Sequence, residues 1–503
     1  MPHDIDAEFL ALPLRQLADA ALSRARELGV THADVRVERI RTASLHLHDA
    51  KLETSYDDDE RGLSVRVVHD GTWGFAGGAV ITVDAAARLA DEAVAIARAS
   101  RALNTEPVEL AAEPSYGDVT WVSSYDIDPF HVAESERVAL LQDWSRQLLA
   151  ADGVHHADAS LRQVKENKFY ADLAGTTTTQ QRVRVQCQLD ASWIDEQSGR
   201  FESMRTIAPP VGRGWEFVTR PDVYDWQAEV DQLPSLLAEK AAAPSVQAGR
   251  YDLVIDPSNL FLTIHESIGH ATELDRALGY EANYAGTSFA TPDQLGTLVY
   301  GSPVMHVTGD REAEYGLSTI GWDDEGVGAQ TWDIVKDGIL VGYQLDRRIA
   351  RKTGQDRSNG CAFADSPLHA PIQRMANVSL QPAADGPSTD ELIGGVDEGI
   401  FIVGDKSWSI DMQRYNFQFT GQRFYKIRAG KLDGMVRDVA YQATTTDFWR
   451  SMEAVGNAET YQLGGAFNCG KAQPGQVASV SHGCPTALFR GVRILNTSDE
   501  AAH

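Results

Sequence analysis

The sequence predicts an α+β fold in two parts. Residues 1–245 read as an N-terminal domain made from a duplicated unit of one helix followed by antiparallel strands. Residues 246–503 read as a β-rich C-terminal domain interrupted by one helix. Three observations carry this reading: an internal repeat in the first half, a change of composition near residue 245, and many short strand-and-turn segments beyond it.

The repeat is Gly29-Val30-Thr31-His32-Ala33-Asp34, echoed by Gly153-Val154-His155-His156-Ala157-Asp158. An amphipathic stretch precedes each copy. Leu14, Leu17, Ala21, Leu22, Ala25 and Leu28 lead into the first; Val138, Leu140, Leu141, Trp144, Leu148 and Leu149 lead into the second. Apolar residues three and four apart place one helix face in a core, and the glycine beyond suits a helix C-terminus. Strand-like alternation follows, over residues 35–40 and 45–48 in the first copy and 169–173 and 183–187 in the second. A period of two predicts one buried and one solvated face. A further helix is expected over residues 84–102.

At the division, Glu239-Lys240-Ala241-Ala242-Ala243-Pro244-Ser245 has the composition of a linker, and Tyr251-Asp252-Leu253-Val254-Ile255 opens a new strand. Further on, Asp337-Gly338 between apolar residues signals a two-residue hairpin turn. The helix of this half is expected over residues 258–276.

Composition narrows the function classes. With 43% hydrophobic and 23% charged residues the chain reads as ordinary soluble globular protein, and no apolar run approaches the roughly 18 residues of a membrane span. The start, Met1-Pro2-His3-Asp4-Ile5-Asp6, is acidic and lacks the basic and apolar regions of a secretory signal, so a cytoplasmic location is expected. A formal net charge of -27 repels phosphate backbones and disfavours nucleic-acid binding. The four cysteines, Cys187, Cys361, Cys469 and Cys484, are few and far apart. They suit buried thiols or a thiolate ligand better than a disulfide framework.

The expected helix carries His265-Glu266-Ser267-Ile268-Gly269-His270-Ala271-Thr272-Glu273. Zinc accepts imidazole nitrogen, and a catalytic zinc keeps one position for water. A glutamate beside the first ligand can take that water's proton. His265 and His270 are therefore candidate ligands and Glu266 the candidate base. The spacing is one residue longer than in His-Glu-x-x-His metalloproteases. On a regular helix, side chains five apart diverge by about 140°, against about 40° for four apart. The helix should therefore end or widen near Gly269. One π-type turn would bring the two histidines together, and glycine would make that departure cheap.

A third ligand must come from elsewhere. Cys469, in the glycine-rich segment Gly464-Gly465-Ala466-Phe467-Asn468-Cys469-Gly470-Lys471, reads as lying on a loop. Cys484, in Ser481-His482-Gly483-Cys484-Pro485, competes with it, and residue chemistry alone does not separate the two. Glu273, three residues after His270, reads equally as a support for that histidine or as a surface carboxylate. Asp323-Asp324-Glu325-Gly326 reads as a solvated acidic turn, with cation or amine binding as the alternative, and Asp57-Asp58-Asp59-Glu60 as a solvated loop. Neither a phosphate-binding Gly-x-x-x-x-Gly-Lys-Ser/Thr loop nor a Gly-x-Ser-x-Gly elbow is present.

These motifs occur in order with the Lys336-Asp337-Gly338-Ile339-Leu340-Val341-Gly342-Tyr343 hairpin, Arg374-Met375-x-Asn377 and Cys469-Gly470-Lys471. Over essentially its whole length the chain resembles the TldD/PmbA family, and within it the TldD branch. The resemblance implies a zinc metallopeptidase, with Zn2+ held by His265, His270 and Cys469 and with Glu266 as catalytic base. It implies unfolded or leader peptides as substrates and a TldE/PmbA-like partner subunit or a homodimer. The family's older label, modulator of DNA gyrase, does not imply DNA binding, and neither nucleic acid nor membrane is expected as a partner. The tail with Cys484 departs from the best-known members. The rival reading is a non-catalytic binding or regulatory subunit with a structural or vestigial metal site. An intact Glu266 favours the enzyme, because a structural site has no need of a base.

Overall fold

The two repeats build one sheet. In a computed structural model that describes residues 3–471 and 474–500, the amphipathic stretches are the helices Leu14–Glu27 and Glu134–Leu149. Met1 and Pro2, part of the acidic start, lie outside the described residues. The strands of this half are β1 (His32–His48), β2 (Lys51–His69), β3 (Thr72–Gly78), β4 (Asp118–Val122), β5 (His156–Asp172), β6 (Thr177–Ile194) and β7 (Phe201–Arg205). Their order is β3-β2-β1-β5-β6-β4, with β7 also on β6. The leading strands of the two copies pair antiparallel at the centre, with Asp34 opposite Asp172 and His48 opposite Asp158. Segments 35–40 and 45–48 prove to be one strand, since the residues between them are laddered on both sides, as Arg41 is to Asp59 and Lys165.

Odd-numbered positions of β1 face the helices. Val35 and Val37 join a core with Leu17, Ala21, Ala90 and Ala93. Leu45 and Leu47 join a second core with Leu141, Trp144 and Leu148. The helix that covers the first core is Val83–Ser100, close to the expected span. The even-numbered face differs from expectation. It is not solvated where β1 begins, because the C-terminal half covers it. Arg36 meets Asp324 at 3.2 Å, Arg66 meets both Asp34 (2.7 Å) and Glu325 (2.9 Å), and Lys168 meets Asp324 at 2.6 Å. Alternation marks two kinds of surface, and here the polar kind is an internal charged interface.

The acidic turn at 323–325 is accordingly buried and paired, and not a solvated loop. Asp57, Asp58 and Asp59 are exposed as expected and Glu60 is half-buried, but the run lies within β2, where Asp59 pairs with Arg39 and Arg61.

In the C-terminal half Gly249–Ile255 lies between Glu398–Ile410, to which it is parallel, and Ala487–Asn496. The ladder continues through Val439–Thr444 and Asn416–Arg428 and returns to Glu398–Ile410, so the strands close on themselves. Leu253, Ile255, Ile400, Phe417, Phe419, Tyr441 and Phe489 belong to its core. The hairpin at 337–338 forms with φ of 48° and 75°, both left-handed as this turn requires. Two expectations need correction. The supposed linker begins inside the helix Trp226–Ala242, because Glu, Lys and Ala are strong helix formers. Short helices also occur at Arg347–Lys352, Thr389–Gly394 and Thr445–Arg450, too brief to show a period in the sequence.

Candidate metal centre

The histidine-bearing segment starts as an ordinary helix, Pro257–Ile264. Asp256 caps it by accepting from the Ser258 N–H at 2.9 Å, and Pro257 occupies the first turn. Inside the core, Asn259 donates to the Gly404 and Thr420 carbonyls and accepts from the Tyr441 hydroxyl. These ties fix the helix in rotation as well as position.

At His265 the helix widens. His265–Gly269 forms a π turn in which the His270 N–H donates to the His265 carbonyl, five residues back. A 3₁₀ turn, His270–Thr272, follows. The two rings come to 4.7 Å between centroids, which a regular helix would not allow. Buried carbonyls need partners, and side chains supply them. The Tyr300 hydroxyl donates to Ser267 O, Gln344 Nε2 donates to Gly269 O at 2.7 Å, and Thr272 Oγ1 donates to Ile268 O at 2.8 Å. The role of Gly269 differs from the expected one. Its φ and ψ of -51° and -61° are open to any residue. A Cβ there would lie 2.6 Å from Met375 Sδ, so glycine supplies room and not backbone freedom.

Cys469 lies on a strand and not on a loop. Gln462–Lys471 pairs antiparallel with Gln476–Cys484, and the register slips between Ala466 and Cys469 as a bulge. Beyond it Cys469 and Lys471 point inward while Asn468 and Gly470 are exposed. Arg374 donates to the carbonyls of Cys469 and Gln476, anchoring both strands. Cys469 Sγ lies 3.6 Å from His270 Nε2. One ligand atom each from His265, His270 and Cys469 lie within 4.8 Å of one another. Cys484 is elsewhere, its sulfur 3.8 Å from the Pro257 carbonyl and its thiol pushed well up by burial.

The hydrogen bonds assign the tautomers. His482 Nδ1 lies 2.8 Å from the Val378 carbonyl, so it carries a proton and leaves Nε2 as an acceptor. That Nε2 lies 2.7 Å from His265 Nδ1, which must therefore donate, leaving the lone pair of His265 on Nε2. His270 Nδ1 donates to Glu273 Oε2 at 2.8 Å, with the same result. Burial holds His265 below and His482 well below the usual imidazole range. Glu273 is itself held by Lys471 at 3.3 Å and Arg276 at 3.4 Å. Burial opposes its ionisation, yet Lys471, His270 and Arg276 keep it well below the usual carboxylate range. Burial likewise opposes ionisation of Cys469, but His270 and Arg374 bring its thiol down.

Two imidazole lone pairs and an acidified thiol form a nitrogen–sulfur donor set. That set suits zinc and not magnesium or calcium, which prefer oxygen. Glu266 stands beside it. Its Oε2 accepts from Arg414 Nη1 at 2.7 Å, and the imidazoles and Arg414 overcome burial to hold it below the ordinary range. Arg414 sits at φ 62°, with its carbonyl held by Thr445 Oγ1 at 2.7 Å. Sequence reasoning missed both Arg414 and His482. No motif marks Arg414. His482 stood in the segment quoted for Cys484, and a histidine there was the one available signal.

Residues 33–97 match the model of the PmbA/TldA metallopeptidase domain 1 and residues 248–496 that of the PmbA/TldA metallopeptidase C-terminal domain, together more than half of the chain. A metalloprotease of Methanothermobacter thermautotrophicus is 26% identical over 98% of this chain and 100% of its own length. A zinc metalloprotease TldD homolog of Saccharolobus solfataricus is 22% identical over 94% and 98%. Among solved structures, TldE from Thermococcus kodakarensis superposes with a TM-score of 0.70 at 14% identity, covering 94% of this chain and 98% of that one. A Thermotoga maritima protein named as a candidate modulator of a DNA gyrase gives 0.74 at 16% identity, covering 96% and 100%. With both domain models matched in order and the shared fold running the length of the molecule, the chain belongs to the TldD/PmbA family of metallopeptidases.

Proposed function

We propose that this protein is a zinc-dependent, TldD-type peptidase that hydrolyses unfolded or extended polypeptides in the cytoplasm. In this reading it works with a TldE/PmbA-like partner subunit or as a homodimer. The observation that carries the reading is the convergence of His265, His270 and Cys469 within 4.8 Å, beside a Glu266 carboxylate held by Arg414 at 2.7 Å.

His265 Nε2, His270 Nε2 and Cys469 Sγ would hold the zinc. When bound, zinc supplies a Lewis acid that polarises the scissile carbonyl and acidifies water. Glu266 takes a proton from the attacking water and delivers it to the leaving amine nitrogen. Arg414 fixes the carboxylate through Oε2 and keeps it ionised until that transfer. Glu273 and His482 hold the two imidazoles in the tautomer that faces the site. The donor residues are only 2–5% exposed, which favours a thin, extended substrate over a folded one. The strand that carries Cys469 belongs to a two-stranded ribbon. An extended peptide adding to a free edge of that ribbon would be held by its main chain and read without much regard to sequence. The non-catalytic alternative has no use for a carboxylate held ionised against the metal ligands.

The test compares Glu266→Gln and Cys469→Ala with the parent, by zinc content and by cleavage of an unstructured fluorogenic peptide, with a chelator control. Glu266→Gln is expected to keep its zinc and lose about 10²–10⁴-fold in turnover. Cys469→Ala is expected to lose zinc and activity together. Full activity in Glu266→Gln would remove Glu266 from its role. A zinc-loaded parent that cleaves nothing, alone or with a TldE-type subunit, would favour the binding subunit.

A further inference from the structure

The His-Ala-Asp element of the repeat has two fates. In the first copy Asp34 is buried, with Arg66 on its carboxylate at 2.7 Å and His32 at 3.0 Å. In the second, His156 and Asp158 remain partly exposed and face the tip of the β1–β2 hairpin. There His156 Nδ1 lies 2.9 Å from Asp49 Oδ2, His48 Nε2 lies 3.5 Å from the same oxygen, and the two rings stack 5.4 Å apart. One ligand atom each from His48, Asp49 and His156 lie within 4.8 Å of one another.

We propose that His48, Asp49 and His156 form a second divalent transition-metal site, separate from the His265/His270/Cys469 centre and of the kind that takes zinc, nickel or copper. Imidazole and carboxylate donors in this number suit those ions. The site is built in three respects. Asp49 Oδ1 accepts the Ala157 N–H at 3.0 Å, which aims Oδ2 between the two rings. Asp158 Oδ1 holds His48 Nδ1 at 2.9 Å, directing Nε2 toward Asp49, much as Glu273 orients His270. The tip itself is pinned, since Ser145 Oγ accepts the Ala50 N–H at 2.9 Å and Gln142 Nε2 donates to the Ala50 carbonyl at 3.2 Å. Asp49 and Ala50 adopt φ of 48° and 60°, conformations that residues other than glycine rarely take. The acidic side chains nearby, Asp158 and Glu53, each 3.8 Å from His46, add local negative charge.

The site joins the β1–β2 turn to the start of β5 and so clips the two repeats together. It lies far from the peptidase centre. Arg162 of β5 reaches Asn468 beside Cys469, and six residues of strand separate Arg162 from His156, roughly 20 Å.

The test titrates metal-free full-length protein with Co2+ and measures bound metal after gel filtration, in the parent and in His48→Ala and His156→Ala. Asp49→Asn, which preserves shape and tolerates the left-handed backbone, serves where an alanine variant misfolds. A thiolate on Co2+ gives a near-ultraviolet charge-transfer band, whereas a site of nitrogen and oxygen donors does not, so the two centres are read separately. The parent is expected to bind two equivalents, only one with the sulfur band, and the variants one equivalent with that band intact. The second equivalent is expected to raise the thermal midpoint of the parent and not of the variants. A parent that takes up only the sulfur-banded equivalent would overturn the site, as would variants that still bind two.

Discussion

His482 is the residue whose replacement most directly tests the tautomer argument. In the native arrangement His265 Nδ1–H donates to His482 Nε2 at 2.7 Å, and His482 in turn donates to the Val378 carbonyl at 2.8 Å. Both rings are buried, so water does not replace either bond. In His482→Phe the acceptor is gone, and His265 would move its proton to Nε2, the atom a metal needs. Binding metal then requires the proton back on Nδ1, where it has no partner. An unsatisfied buried donor costs about 1–3 kcal/mol, which converts to roughly 5- to 150-fold weaker binding. Loss of a group that orients a metal-bound histidine typically costs 10–100-fold, within that range. The assay is zinc competition against a chromogenic chelator, with thermal melting of the metal-free proteins as a control for folding. His482→Phe is expected to bind zinc 10–100-fold more weakly at a near-parental apo midpoint. His482→Gln is expected to recover part of the loss, because an amide oxygen can accept from His265. Parental affinity, within twofold, in a folded His482→Phe would refute the reasoning.

Two further predictions concern the buried charged interface. Asp324 meets Lys168 at 2.6 Å and Arg36 at 3.2 Å and accepts the Ala364 N–H at 2.7 Å. Asp324→Ala leaves those cations uncompensated and is expected to lower the urea unfolding free energy by about 3 kcal/mol, the lower end for a broken buried pair because Glu38 remains beside both. Removing Asp91, whose pair with Arg24 is exposed, is expected to change it by less than about 1 kcal/mol. Burial and the neighbouring Glu325 push the Asp323 carboxyl up to about 8. The folded state then binds a proton that the unfolded state releases between about pH 4 and pH 8, so the contribution of Asp323 to stability is present in acid and lost as pH rises. Asp323→Asn does not titrate. Its stability relative to the parent is expected to climb between pH 5 and 7.5 by up to about 1.4 kcal/mol per pH unit, and a flat difference in urea unfolding would contradict the shift.

What the sequence disclosed and what it withheld follow one physical division. Local periodicity was legible. The helices at Leu14–Glu27 and Glu134–Leu149, the strands after them and the Asp337-Gly338 turn are encoded by residues a few positions apart. The five-residue spacing of the histidines was legible too, since elementary helix geometry demanded a wider turn and His265–Gly269 provides it. Partners distant in the chain left no such trace. Cys469 is 199 residues from His270, Arg414 is 148 from Glu266 and His482 is 217 from His265. Period two along β1 showed that two faces differ, yet it could not say what lay on the polar one. Asp34, Arg36 and Glu38 would read the same against water as they do against Arg66, Asp324 and Lys168. The error over the 323–325 turn has the same origin. An acidic run looks solvated until its cations, supplied by strands some 150 to 290 positions away, are placed against it. The candidate metal centre rests on this interface in a concrete sense. Asp323 and Asp324 accept main-chain N–H groups of the 362–364 segment. The Arg374 N–H donates to the neighbouring Cys361 carbonyl, while the Arg374 guanidinium holds the carbonyl of Cys469. The charged contacts between the two halves thus lead, in a few hydrogen bonds, to the strand that carries the sulfur.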